Sequence, residues 1–281
     1  MTRLDPAARE REYSPSSVIG GDYAPFLERY RVESEAARRA LPVQADLRYG
    51  DAPRAQLDFF PAPALDSSAR PGLLVYFHGG YWQELSKEDS AFIAPAWHAA
   101  GVACAVVGYP LAPAARLPAI VAACRAAIAW LHAQAGTLGF DADHLVVAGS
   151  SAGGYLAAAC AEASPVPIRG IVPVSGIFDV APLVGTSIND ALGLDAPTAS
   201  TLDLLDPRDR RRPIRCRSVV AWGEIETAEF KRQSRAFAAR LFTDGAAGTT
   251  IEVPGRNHFD VVLELADPAT PLFAAARALL R

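Results

Sequence analysis

Two short stretches of the sequence carry residue types at the spacings needed to break an acyl bond. "HLVVAGSSAGGYLAAA" runs from an apolar β-type segment through Gly149-Ser150-Ser151-Ala152-Gly153 into a helical segment. A serine on so tight a strand-to-helix turn needs small residues two before and two after it, because the backbones nearly touch there. Ser151 meets that condition with Gly149 and Gly153, whereas Ser150, with Ala148 and Ala152 at the same offsets, does not. A hydroxyl is a weak nucleophile until a base takes its proton and an acid orients that base. "VPGRNHFDVV" supplies His258 as the base, after the last β-type run and so in the chain order nucleophile, acid, histidine.

The other histidines fit blander roles. His98 and His132 fall in helical patterns, His144 precedes the serine's strand, and His78 is read as a brace for its own loop through a side-chain hydrogen bond. For the acid, "GEIETAEF" offers Glu224, Glu226 and Glu229 and no aspartate. Glu226, three after Gly223, best fits a loop crossing the top of a sheet; Glu224 stays the alternative, and Glu229 begins the next helix. A developing oxyanion needs N–H donors, which the glycine pair of "YFHGGYWQ" provides. Gly79 and Gly80, with the N–H of Ala152 at a helix N-terminus, are the expected donors. Tyr81 and Trp82 follow directly and are expected either to wall an aryl pocket or to pack in the core.

These groups need a scaffold, and the chain alternates β-type and helical runs from about residue 72 onward: "GLLVYFHGG", "VACAVVGYP", "HLVVAGS", "IRGIVPVSGIF", "RSVVAWGE" and "TTIEVPG" are separated by helical patterns. That alternation predicts an α/β fold with a mainly parallel sheet covered by helices on both faces. Upstream, "VQADLRYG" and "AQLDFFPA" flank "DAPR" and predict an antiparallel hairpin at the sheet edge. Residues 1–42 read as a helical arm, and residues 181–212 as an insertion with short helical patches, expected to act as a lid. The whole chain, 1–281, reads as one domain.

Bulk composition narrows the partners. Lys and Arg total 27 against 31 Asp and Glu, for a net charge of -4, which leaves no basic excess to hold a nucleic acid. The N-terminal "MTRLDPAARERE" has no apolar h-region, so a cytoplasmic protein is expected. "HLVVAGSSAGGYLAAACAE", read as the longest weakly polar stretch, is too broken to span a bilayer, so no membrane association is expected. Cys104, Cys124, Cys160 and Cys216 are widely spaced and read as free thiols. No histidine spacing suits a metal, so neither metal nor cofactor is expected. The remaining partner is a small-molecule substrate; the oligomeric state is open, with a homodimer one option.

Taken in order, "HGGYW", "GSSAGG", "EFKRQS" and "NHFDVV" resemble the kynurenine formamidase (arylformamidase) branch of the α/β-hydrolases, and "REYSPSS" and "INDALGLD" are similar to the same family. The resemblance covers most of the chain. It implies a metal-free serine hydrolase of N-formyl aryl amines such as N-formylkynurenine, with Ser151 as nucleophile, His258 as base, Gly79 and Gly80 as oxyanion donors, and the acid at Glu226, where family members usually carry aspartate. A general carboxylesterase fits the same triad, and a hydrolase fold used only for binding is the reading from another class.

Overall fold

The computed structural model describes residues 4–64, 69–206 and 213–281. At its centre lies an eight-stranded sheet of β1 (Gln44–Arg48), β2 (Gln56–Phe60), β3 (Leu73–Phe77), β4 (Ala103–Val107), β5 (Leu145–Ser150), β6 (Gly170–Val174), β7 (Arg217–Ile225) and β8 (Gly248–Asn257). Their spatial order is β1-β2-β4-β3-β5-β6-β7-β8. β1 pairs antiparallel with β2, and β2 with β4, which is the expected edge hairpin. All other neighbours are parallel, so six consecutive strands point their C-terminal ends the same way.

The helices are α1 (Pro6–Glu12), α2 (Ala24–Ala40), α3 (Ala94–Ala99), α4 (Leu117–Leu138), α5 (Ala152–Glu162), α6 (Asn189–Leu192), α7 (Ala196–Thr201), α8 (Ala228–Thr243) and α9 (Pro271–Ala278). β3 is apolar at every position because both its faces are covered: Val75 and Phe77 join a core with residues of α4, α5 and α8, while Leu74 and Tyr76 join a second core with residues of α2, α3 and α9. By length and composition α4 is apolar enough to cross a bilayer, more so than the serine's strand and helix. Here Leu117, Ile120, Cys124, Ile128 and Leu131 of α4 are buried in the first core.

The arm wraps the sheet. α2 reads as charged, yet Tyr30, Ser34 and Ala37 recur on one face and are buried, while Arg29 and Glu33 pair on the exposed side. Past α1, Tyr13 donates to Glu229 Oε2 of α8 (3.0 Å), and Thr227 Oγ1 donates to Glu12 O (2.6 Å). Tyr30 donates its hydroxyl to Phe259 O, beside the candidate base. The insertion falls between β6 and β7 as expected, with α6 and α7 in its described part; residues 207–212 of it lie outside the described residues.

Candidate active site

Ser151 sits at the β5–α5 junction with φ 55° and ψ −118°, a conformation that costs a non-glycine residue on the order of 1–3 kcal/mol and is held only by its surroundings. Those surroundings are close-packed backbone. A Cβ on Gly153 would stand 2.5 Å from His78 O and closer still to Phe77 O; one on Gly149 would stand 2.9 Å from Phe77 O and closer to Gly153 O. The N–H of Ser151 donates to Val174 O (2.8 Å), which ties the turn to β6. Ala152 then opens α5, where the first N–H groups have no intrahelical acceptor.

The loop after β3 lies against this turn. A Cβ on Gly79 would be 3.1 Å from Ser150 O and 3.4 Å from Ser151 Cβ. Gly80 has φ 94°, and a side chain there would meet Glu84 C at 2.8 Å, so only glycine fits. No acceptor among the described residues takes the N–H of Gly80 or Ala152. His78 is the expected brace: it is 1% exposed, its Nδ1 is 2.8 Å from Gly79 O, its ring stacks on Tyr109 at 4.1 Å, and Tyr109 donates to His78 O (2.7 Å). Burial lowers its pKa to about 4, so it stays neutral and uncharged beside the loop.

His258 and Glu226 meet from β8 and β7, 32 residues apart in sequence. Nδ1 of His258 is 3.3 Å from Glu226 Oε2, and both side chains are buried. Glu226 Oε1 accepts from Ser175 Oγ and from the N–H of Gly223, both at 2.6 Å, so the carboxylate is fixed from its far side. Ser175, with φ 51° just past β6, was not foreseen; the Ser-Gly pair ending the run "IVPVSG" was its signal. Glu224 turns away: it is exposed, and its Oε2 accepts from Gly255 N–H (2.8 Å). Glu229 is occupied by Arg232 (2.8 Å) and Tyr13.

Ser151, His258, Gly79 and Gly80 line one cavity of about 250 Å³, near the lower bound of about 300 Å³ common for small-molecule sites. Tyr81 is on its wall and donates its hydroxyl to Tyr13 O. Trp82 corrects the expectation for its neighbour: it is 0% exposed, stands edge-on to Tyr155 of α5 at 5.4 Å, and lies away from the cavity. Both residues have left-handed backbone (φ 49° and 59°), which turns the chain so that one ring faces the cavity and the next enters the core.

Of the described part of the 181–212 insertion, Ile188 lines the cavity, and the arm adds Tyr13, Tyr23, Leu27 and Tyr30. Tyr23 stacks on Phe259 at 5.1 Å, fastening the arm next to His258. The four cysteines are free thiols, three of them buried, and no group of three metal-ligating side chains occurs among the described residues.

A family model described as the alpha/beta hydrolase fold matches residues 74–260, the segment that holds the glycine loop, the serine turn and the histidine. The kynurenine formamidase of Salmo salar is 31% identical over 272 residues, covering 92% of this chain and 90% of the relative. Esterase LipQ of Mycobacterium tuberculosis is 26% identical, over 80% of this chain and 59% of that protein. A solved structure from Silicibacter sp. superposes with a TM-score of 0.83 at 28% identity, covering 95% of this chain and 98% of the other. The chain belongs to the α/β-hydrolase family, in its kynurenine formamidase-like branch. It is a hydrolase.

Proposed function

We propose that this hydrolase cleaves the formamide bond of N-formyl aryl amines, of which N-formylkynurenine is the reference case, through a formyl-enzyme intermediate on Ser151. The observation that carries the reading is the buried His258–Glu226 pair opening onto the same cavity as the strained Ser151. His258 Nε2 takes the Ser151 proton as Oγ attacks the formyl carbon, and Glu226 holds the other ring nitrogen protonated. The N–H groups of Gly80 and Ala152, with Gly79, receive the oxyanion. The imidazolium then gives its proton to the aryl nitrogen, the C–N bond breaks and the free amine leaves. Water, deprotonated by His258, attacks the formyl ester, releasing formate and restoring Ser151.

The formamide is favoured by the full-length similarity to a kynurenine formamidase and by the aromatic walls from Tyr13, Tyr23 and Tyr81. A carboxylesterase is the second reading, favoured by the match to an esterase and by a triad that does not distinguish amide from ester. A formyl group ends in hydrogen, so a formamidase can close its acyl side, and each extra methylene then costs roughly 10–200-fold. On one aryl amine, kcat/KM should fall steeply from formyl to acetyl to butyryl. Equal or rising rates with acyl length would replace the formamidase with the esterase.

A further inference from the structure

The charge on the cavity wall is of one sign. Glu84 follows Gly80 by a single tight turn, its N–H donating to Gly80 O at 2.9 Å, and a Cβ on Gly80 would lie 3.2 Å from Glu84 Cβ. Glu84 is thus a residue of the cavity wall within a side-chain length of the oxyanion loop, and it is exposed. It has no ion-pair partner among the described residues. A negative charge there opposes a developing oxyanion, so a catalytic role does not account for it.

The nearby cations are committed elsewhere. Lys87 is buried against Asp46 (2.8 Å), Asp58 (2.9 Å) and Glu88 (2.6 Å), and Arg54 donates to Leu85 O (2.7 Å); neither lines the cavity. No Lys or Arg among the described residues lines it at all. Among the neutral donors on the wall, the hydroxyls of Tyr13, Tyr30 and Tyr81 each donate to an acceptor within the protein, which leaves the uncharged hydroxyls of Ser14, Ser16 and Tyr23 to face a ligand. At the N-terminus of α2, beside the cavity through Tyr23 and Leu27, Asp22 accepts from Ala24 N–H (3.0 Å) and adds a second carboxylate nearby.

Resting on the reading of this cavity as the site for the aryl leaving group, we propose that Glu84 determines specificity: among N-formyl aryl amines the site prefers those whose side chain carries an ammonium and no carboxylate over those that carry both. A substrate carboxylate would give up hydration here without meeting a cation and would face a like charge. An ammonium on the same carbon skeleton gains the attraction of Glu84.

The test is a matched pair: N-formylkynurenine, which bears both an ammonium and a carboxylate, and N-formylkynuramine, the same molecule without the carboxylate. At low ionic strength kcat/KM should favour N-formylkynuramine by about tenfold or more, with the advantage shrinking as salt is added. Glu84→Gln should narrow the ratio, and Glu84→Lys should narrow it further or invert it. Equal rates for the pair, or a preference for N-formylkynurenine, would overturn the proposal while leaving formamide hydrolysis standing. If neither formamide turns over, the formamidase reading fails, and the charge question passes to O-acetyltyramine against O-acetyltyrosine. There, preference for the tyramine ester supports the role of Glu84, and equal rates or preference for the tyrosine ester refutes it.

Discussion

Gly153→Ala should cripple turnover without abolishing the fold. The added methyl would stand 2.5 Å from His78 O, 2.7 Å from Phe77 C and nearer still to Phe77 O, all backbone atoms that no rotamer change can move. Real Cβ contacts to such atoms begin near 3.0 Å, so the start of α5 must withdraw from the end of β3 by a sizeable fraction of an ångström. That seam separates Ala152 from the Gly79–Gly80 loop, whose own Gly79 Cβ position is 3.4 Å from Ser151 Cβ. Misplacement by about 1 Å typically costs about 10²-fold, and loss of one oxyanion donor about 10²–10³-fold. We expect kcat to fall by about 100-fold or more with KM little changed, together with about 1–3 kcal/mol of destabilisation from overpacking. Gly136→Ala is the control: it lies in α4, nothing stands within 4 Å of its Cβ position, and alanine should stabilise by about 0.5–1 kcal/mol with unchanged kinetics. Steady-state kinetics on an aryl formamide and thermal melting read both variants. Wild-type kcat in Gly153→Ala would refute the claim that this seam sets the oxyanion donors.

Glu226→Gln should keep the fold but lower kcat by up to about 10⁴, as the tautomer-fixing acid is lost. Glu224→Gln should change kcat little, since Glu224 only accepts from Gly255 N–H on the surface; the reverse ranking would show the acid to be misassigned. Asp203, after α7, has its pKa raised by burial, and further by Asp179 and Asp206, from the ordinary 3.8 to about 6. Its folded form favours the proton, so its contribution to stability is full below about pH 4 and is lost as pH rises through about 6. Asp203→Asn, which keeps an acceptor for Leu205 N–H, should therefore melt progressively higher than the parent as pH rises from about 5 to 7.5; a gap independent of pH would count against a buried charge there.

The serine turn, glycine loop and histidine of the candidate site were legible because their constraints are local. Gly149 and Gly153 are dictated by backbone approach around Ser151, Gly80 by its positive φ, and the position of His258 by chain order after β8. The substrate side was not legible, because it depends on contacts across the whole chain. Tyr30 meets Phe259 across 229 residues, and in sequence it is one aromatic in a helix dense with Arg and Glu, which reads as a solvated arm. Tyr81 and Trp82 looked equivalent as neighbours; two consecutive left-handed residues sent them to opposite sides, a backbone detail that residue type does not announce. Glu226 could be preferred over Glu224 by spacing, but the bonds from Ser175 and Gly223 that fix it appear only once β6 and β7 are side by side.

The central claim is that Ser151 becomes acylated with His258 as its base. Treating the protein with a fluorophosphonate and mapping the adduct by peptide mass spectrometry tests it directly. We predict a single adduct on Ser151, forming in step with the loss of aryl-formamide or aryl-ester turnover and suppressed in His258→Ala. An adduct on Ser150, or full turnover with no adduct at all, would contradict it.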